Sequence, residues 1–361
     1  MKYHFLLFLL ICANTFCLAQ NNQEFDTVLK ITSTPLKNQQ SSGTCWSFAT
    51  TSFLETEAIR LGKEPVSLSP IFYVAPAYLG KAKKYIEKRG NSYFAEGDLT
   101  FSVLDAYKKF GAIPETVYNG IIEGDWQHDH VEMDDLLLAM VESIAKSGYE
   151  RIKPYSWSKA LEAVLNAYLG TPPATFVYKG KLYSPKTFAE EYVGINPDEY
   201  IEITSYSHHD FYKLFVLDIP ANWNQNNYLN LPIQDFEKTI DYALENGYSL
   251  AWDGDASEPL FDFEKGILQL SNDEEHAIIT QELRQKTFDN KSTTDDHNMH
   301  LIGKAKDKSG NPYYLLKNSE GSNDMEGYIY MTKNALLLKT ISLLVHKDGI
   351  PSEIKLKSDL K

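Results

Sequence analysis

The stretch NQQSSGTCWSFA at residues 38–49 decides the fold of this chain. Residues 38–44 are small, polar and turn-forming, and Cys45 follows them directly. Beyond Cys45, apolar side chains recur at helical spacing as far as Gly62, which predicts a helix over residues 45–61 with one buried face. Cys45 is therefore expected in the first turn of a core helix, where unpaired amides and the positive end of the helix dipole favour an anionic sulfur.

The cysteines and the first residues of the chain point to export. Cys12 and Cys17 lie within residues 1–19, which have the basic start, short apolar run and small final residues of a secretory signal. The sequence thus predicts a periplasmic or extracellular protein that begins at Gln20 and has no intrachain disulfide, since Cys45 is its single thiol. An inert buried cysteine is the alternative to a functional thiol at Cys45.

The composition excludes several kinds of partner. The chain has 361 residues, 43% hydrophobic residues and a formal net charge of −14, so it can bury a large core. Nucleic acid and anionic membranes are excluded as partners because phosphate binding needs a concentrated basic surface. After residue 19 no segment is apolar and long enough to span a bilayer, so no membrane anchor is predicted.

The patterning changes along the chain and predicts an α+β protein in two parts. Residues 20–245 carry mainly helical patterns, whereas residues 246–346 contain short apolar or alternating runs between turn residues, which are typical of strands. Residues 347–361 form a short C-terminal tail. The prediction is a helical half followed by a β-barrel-like half, with the functional site in the cleft between them.

Four residues have the side chains that thiol hydrolysis of an acyl bond needs. Such a reaction uses a thiolate, an imidazole that forms an ion pair with it, a group that orients the imidazole, and donors for the oxyanion. Gln39 lies six residues before Cys45, His297 begins one predicted strand, and Asn318 follows another. Taken singly, each of these polar residues fits a solvated or structural role better than a catalytic one.

Three segments in register resemble the active-site segments of papain-like cysteine peptidases: residues 38–49, Asp296-His297-Asn298-Met299, and Lys317-Asn318-Ser319 with Gly327-Tyr328. Residues 169–176 and 248–255 extend the resemblance to the bleomycin hydrolase and aminopeptidase C group, with a family-type insertion at about 120–235. The resemblance implies a papain-like two-subdomain fold without metal or cofactor. It implies that Cys45 attacks, His297 is base and then acid, Asn318 orients the ring, and Gln39 with the Cys45 amide stabilises the oxyanion.

The resemblance also implies a peptide-binding cleft. Glu96-Gly97 stands where relatives have a Gly-Gly pair whose backbone binds an extended peptide, and Trp46 completes the family's Cys-Trp pair. Gly97 is expected to keep the strand-like pairing with the substrate. Glu96 is expected to change which side chains fit, in favour of basic ones.

The chain departs from the family at Glu320 and in its tail. Glu320 replaces a Trp whose indole covers the contact between the catalytic His and Asn, so its carboxylate is expected to raise the pKa of His297 or to admit water. In the bleomycin hydrolase group the C-terminal carboxylate meets the substrate's amino group. About ten residues follow Pro351 here, and whether Lys361 reaches Cys45 stays open. Relatives form ring-shaped hexamers, so the resemblance allows a homo-oligomer.

The sequence therefore predicts an exported cysteine peptidase, with aminopeptidase action favoured over endopeptidase action. One alternative is a papain-like fold with weak or no catalysis that serves as a peptide-binding module. Another is a metallohydrolase that uses His297, His300 and the pair Asp253 and Asp255. On a strand the two histidines would face opposite sides, which favours a structural role for His300.

Overall fold

The computed structural model describes residues 24–147, 153–321 and 323–360, so the predicted signal at residues 1–19 and the terminal Lys361 lie outside the described residues. The α-helices are α1 (Cys45–Arg60), α2 (Val74–Glu87), α3 (Thr100–Phe110), α4 (Val131–Lys146), α5 (Pro154–Leu169), α6 (Pro185–Phe188), α7 (Ile233–Glu245), α8 (Asn272–Glu275), α9 (Gln281–Asp289), α10 (Lys333–Lys339) and α11 (Ser352–Lys357). Short 3₁₀ turns lie at Ile71–Tyr73, Pro197–Glu199 and Lys347–Gly349, and a π-helical turn at Ala189–Val193.

The strands form one large sheet and one small hairpin. They are β1 (Phe25–Lys30), β2 (Phe176–Tyr178), β3 (Lys181–Tyr183), β4 (Tyr200–Thr204), β5 (Leu214–Val216), β6 (Asn227–Asn230), β7 (Leu250–Gly254), β8 (Ile267–Leu268), β9 (His297–Asp307), β10 (Pro312–Lys317), β11 (Tyr328–Thr332) and β12 (Thr340–His346). The ten-stranded sheet has the order β5-β6-β4-β12-β7-β9-β10-β11-β8, with β1 paired to β9, while β2 and β3 form the hairpin.

The predicted α+β class is confirmed, but the sheet is not closed into a barrel. Its end strands, β5 and β8, have three and two residues and do not pair with each other among the described residues. Strand β9 is the longest, with 11 residues, and its first half pairs with β7 while its second half pairs with β1. β1 approaches closely because Gly303 has no side chain: a Cβ there would lie 2.1 Å from the carbonyl oxygen of Leu29.

The sheet takes strands from both parts of the predicted division. β7 and β9–β12 arise from the β-rich part, as predicted, whereas β1 and β4–β6 arise from residues predicted to be mainly helical. β4 to β6 have only three to five residues each and lie among Pro, Asn and aromatic residues, so no period could reveal them. The boundary at residue 245 itself stays a prediction.

Helix α1 is the central element that positions the site. It packs against β7 and β9 on one side and against α3 on the other. Its polar residues Thr50, Thr51, Glu55 and Glu57 are therefore buried along with its apolar ones, and the predicted single buried face was too narrow. One apolar cluster surrounds α1 to α5, and a second fills the space between the sheet and α7.

The described part of the tail packs against α7 and the apolar cluster beside it. The ammonium of Lys357 lies 3.0 Å from the Asp235 carboxylate at the start of α7, and Leu360 packs against the apolar cluster between the sheet and α7. None of the described helices has the length and apolar character needed to cross a membrane.

Candidate active site

Cys45 is the first residue of α1, as predicted, and its thiol is partly exposed. The preceding loop is held by short polar contacts: the Ser42 hydroxyl donates to the carbonyl of Gln39 (2.7 Å) and lies 2.6 Å from the Thr44 hydroxyl. The amides of Ser47 and Phe48 bond to the Thr44 carbonyl. The first-turn amide of Cys45 has no partner within the helix and is available to an anion.

His297 and Asn318 meet because their strands are neighbours. His297 begins β9 and Asn318 directly follows β10, and the two strands pair in antiparallel register. His297 Nε2 lies 2.8 Å from Asn318 Oδ1. That oxygen also accepts the amide of Ser319 at 2.8 Å, which identifies it as the acceptor and Nε2–H as the donor. The other ring nitrogen is then left for the thiol of Cys45, whose hydrogen bonding and charge help to raise the pKa of His297.

The surroundings of His297 favour its imidazolium form. Burial alone would lower its pKa, but the hydrogen bond and charge of Cys45, the charge of Glu320 and the hydrogen bond to Asn318 raise it to about 9. Glu320 is exposed, so it acts across solvent rather than by direct contact. The expectation that its carboxylate raises the pKa of His297 is confirmed.

An aromatic ring that the sequence analysis missed packs on the imidazole. Phe263, between β7 and β8, meets the His297 ring edge to face with 5.9 Å between ring centres. Because Glu320 stands where relatives have an indole, Phe263 supplies apolar cover from a different segment. Its position 34 residues before His297 in the sequence gave no signal of this contact.

Gln39 is buried, and both the nitrogen and the oxygen of its side-chain amide form hydrogen bonds. Its Nε2 donates to the carbonyl of Ser42 at 2.6 Å, and its Oε1 accepts the hydroxyl of Ser319 at 2.6 Å. The backbone of Ser319 also receives the Gln39 amide at 2.7 Å. Ser319 therefore joins Gln39 to Asn318, a role that sequence reasoning missed although Ser319 follows Asn318 directly.

A buried ammonium holds the loop that carries Glu96 and Gly97. Lys81 is fully buried and donates to the carbonyls of Ala95 (2.5 Å) and Gly97 (3.0 Å), with the Asp98 carboxylate 3.5 Å away. The loop is thus wrapped around a cation that lies on α2. The Gly97 carbonyl already accepts one hydrogen bond, so pairing with a peptide would rely on its amide and its second lone pair.

Trp46 is fully buried, so the predicted contact of its side chain with substrate is wrong, whereas Glu96 is partly exposed beside the segment that precedes Cys45. The Trp46 indole donates to the Glu96 carbonyl at 3.2 Å. One Glu96 carboxylate oxygen lies 2.7 Å from Nδ1 of the buried His130, and the other would be 3.1 Å from a Cβ on Gly43. Since Gly43 is two residues before Cys45, the Glu96 carboxylate faces the approach to the sulfur. No pattern in the sequence indicated that His130 would lie beside Glu96.

His300 belongs to a separate hydrogen-bond network, with Ser52 and Lys317, that does not include the catalytic pair. It is buried, its Nδ1 lies 2.9 Å from the Ser52 hydroxyl, and Lys317 donates to the same hydroxyl at 2.8 Å. Burial and the charge of Lys317 lower its pKa, so His300 is neutral. Asp255 pairs instead with Lys339 at 3.6 Å. The four residues of the metallohydrolase alternative are not brought together.

Comparisons with known proteins agree with this architecture. A model described as the Peptidase C1-like family matches residues 106–360, a range that includes His297 and Asn318. Aminopeptidase G of Lactobacillus delbrueckii subsp. lactis is 23% identical, covering 86% of this chain and 80% of that protein. Aminopeptidase C of Streptococcus thermophilus is also 23% identical, covering 92% and 85%. The crystal structure of PepW from Lactobacillus rhamnosis HN001 shares the fold, with a TM-score of 0.74, 19% identity and coverage of 92% and 84%.

Proposed function

Since the chain belongs to the Peptidase C1-like family and is a cysteine-type peptidase, we propose that it cleaves peptide bonds by a Cys-His-Asn mechanism and acts as an aminopeptidase. The observation that carries the proposal is the meeting of Cys45, from the helical half, with His297 and Asn318 from the sheet. Such an arrangement activates the thiol as a nucleophile and orients its base.

The proposed reaction has two steps. The sulfur of Cys45 attacks the carbonyl carbon of the scissile bond, and the His297 imidazolium gives its proton to the leaving amine. His297 then takes a proton from the water that cleaves the thioester. In both steps the Cys45 amide and the Gln39 side-chain amide would donate to the oxyanion, and Asn318 would keep the ring in the productive tautomer.

Peptide substrates would lie along Glu96 and Gly97, whose loop the buried Trp46 indole supports from below. The carboxylate of Glu96, turned towards Gly43, supports the proposal that basic side chains are favoured there. Relatives named aminopeptidase support action at peptide ends, and export to the periplasm or the medium is proposed from the pattern of residues 1–19. A homo-oligomer is also compatible with this proposal.

A substrate panel tests the proposed reaction on the mature chain from Gln20. Purified protein with a reduced thiol is expected to release product from amino-acid and short peptide amides. Absence of product from the whole panel, with Cys45 still reactive towards an alkylating reagent, would refute it. Tight peptide binding without turnover would then favour the peptide-binding module.

Removal of the Ser319 hydroxyl should slow catalysis moderately. Ser319→Ala takes away the hydrogen bond that holds Gln39 Oε1, and a neutral hydrogen bond of this kind changes kcat by about 3- to 10-fold. The measurement is kcat with KM on one amide substrate. Ser309→Ala, in the exposed turn between β9 and β10, is the matched control and should keep the parent values. An unchanged kcat in Ser319→Ala would contradict the role assigned to this contact.

The charge of Glu320 should be visible in the pH profile. Glu320→Gln removes a negative charge that favours the imidazolium, so the pKa of His297 falls below about 9 and the alkaline limb of kcat/KM moves to lower pH. Because the side chain is exposed, the displacement should be less than about 1 pH unit and should shrink at high salt. Glu326→Gln, in the same loop and also exposed, should leave the limb in place. A displacement to higher pH would have the wrong sign.

A further inference from the structure

Three carboxylates lie beside the catalytic residues without a role in the mechanism above. Glu202 on β4, Asp253 on β7 and Asp295 just before β9 are called here the carboxylate cluster. Asp253 pairs with Asn298 on β9 and with Ser342 on β12. Glu202 pairs with Leu344, which lies two residues after Ser342 on the same strand. Since residues two apart on a strand share a face, Glu202 and Asp253 lie on the same face of the sheet.

This face of the sheet meets the start of α3. The Thr100 hydroxyl, in the first turn of α3, donates to the Glu202 carboxylate. Asp253 accepts the side-chain amide of Asn298 at 2.7 Å and the hydroxyl of Ser342 at 3.3 Å. Glu202 and Asp253 are 5% and 1% exposed, whereas Asp295 is partly exposed and forms the open edge of the cluster.

The cluster has no lysine or arginine partner in the described part of the chain. Within residues 24–147, 153–321 and 323–360, no lysine or arginine forms an ion pair with Glu202, Asp253 or Asp295. Burial, with the charges of Asp295 and Glu202, raises the pKa of Asp253 well above its usual range. Burial and the charge of Asp296 raise the pKa of Asp295 to about 6. Raised pKa values of this kind mean that the buried carboxyls favour the protonated form, and a cation bound beside them would favour the ionised form.

Buried polar atoms without a protein partner independently point to a ligand. The Tyr228 hydroxyl is fully buried on β6, next to Glu202 in the sheet, and has no hydrogen-bond partner among the described residues. The parallel register of β4 and β6 pairs Ile203 with Leu229, so Tyr228 lies beside Glu202 on the same face of the sheet. The oxygen of the buried Asn298 amide and one oxygen of Glu202 are likewise unpartnered. Buried polar groups of this kind normally have a partner.

The cluster lies at the right place for a particular part of the substrate. Asp295 is two residues before His297, and Gly254, next to Asp253, pairs with His297. Helix α1, which begins at Cys45, packs against both β7 and β9. In an aminopeptidase substrate only the α-carbon separates the free amino group from the carbonyl carbon that is attacked. A receptor for that group must therefore border the catalytic pair.

We propose that the carboxylate cluster, with Asp295 at its open edge, binds the free α-ammonium group of the substrate's first residue. The inference rests on the proposed peptidase function and explains how cleavage would be limited to the ends of peptides. An ammonium is compact and has three donors, which suits one exposed carboxylate backed by unpartnered acceptors. The described tail packs against α7 instead, so the cluster provides negative charge at the site from within the folded chain.

A pair of substrates tests the inference: a leucine coumarylamide with a free α-amine and the same compound N-acetylated, since the leucine side chain carries no charge. The parent protein should favour the free amine. Asp295→Asn should lower kcat/KM for the free amine by about 10- to 100-fold, the effect of losing a hydrogen bond to a charged group, and should leave the acetylated compound unchanged or faster. Asp295→Glu should retain most of the preference because it keeps the charge.

Asp125→Asn, which removes an exposed carboxylate in the loop before α4, is the control and should change neither substrate. Equal losses on both substrates in Asp295→Asn, or no loss on either, would overturn the inference, as would a parent protein without preference. A loss confined to an arginine coumarylamide would also overturn it, in favour of a side-chain pocket. Failure of the parent protein on both leucine compounds, with Cys45 reactive to iodoacetamide, would instead contradict the proposed function.

Discussion

Cys45→Ser should reduce kcat/KM on every amide substrate by at least about 10⁴-fold, the scale on which loss of a catalytic nucleophile is felt. In the proposed mechanism the sulfur is the group that forms the covalent intermediate, and the serine hydroxyl that replaces it is far less acidic and less nucleophilic. Because Cys45 is partly exposed at the first position of α1 and serine is nearly isosteric, the fold should be kept. The measurement is kcat/KM together with the thermal unfolding midpoint.

Chemical labelling of the thiol is the control for the Cys45→Ser prediction. Residues 20–361 contain a single cysteine, so iodoacetamide should add one group per parent chain, none to Cys45→Ser, and should abolish parental activity in proportion to labelling. Ser309→Cys adds a thiol at an exposed turn and should take up a second label with no further loss of rate. If activity survives in Cys45→Ser and is abolished by a chelator, the result would favour the metallohydrolase alternative over the cysteine peptidase.

The parts of the fold that local patterns encode could be predicted from the sequence. The helix from Cys45 follows from a polar turn, a regular apolar spacing and a closing glycine, all within one short segment. The strands β7 and β9 to β12 also carry their own alternation. The strands β4 to β6 could not be recognised, because short strands are defined by their partners: β4 exists by pairing with β12, more than a hundred residues later.

At the site, too, the residues that local sequence patterns mark could be predicted, and those defined by contacts between distant segments could not. Cys45, His297, Asn318 and Gln39 were identified because each belongs to a segment with family-like neighbours. The residues around them were missed: Ser319, Phe263, Lys81 and His130 act through contacts between distant segments, such as the ammonium on α2 that holds the loop before α3. Such contacts depend on packing, and no spacing within one segment reports them.

Gln39→Ala should lower kcat by about 10²- to 10³-fold while KM changes little, because an oxyanion donor acts mainly in the transition state. Its amide is held between the carbonyl of Ser42 and the hydroxyl of Ser319, so its direction is set before substrate binds. Alkylation of Cys45 should proceed at the parental rate, since that reaction forms no oxyanion. A loss of alkylation rate equal to the loss of kcat would show that Gln39 supports the thiol or the loop instead.

The double variant Gln39→Ala with Ser319→Ala separates these roles further. If Ser319 assists catalysis by holding Gln39, its removal should cost nothing more once Gln39 is absent, and the double variant should match Gln39→Ala. Additive losses would mean that the Ser319 hydroxyl has an effect on catalysis that does not depend on Gln39. The backbone contacts of Ser319 survive in both variants, so the comparison isolates one hydroxyl. The proposed oxyanion site would thus be assembled from two distant segments, the loop before α1 and the end of β10, and would form only when these segments are in contact.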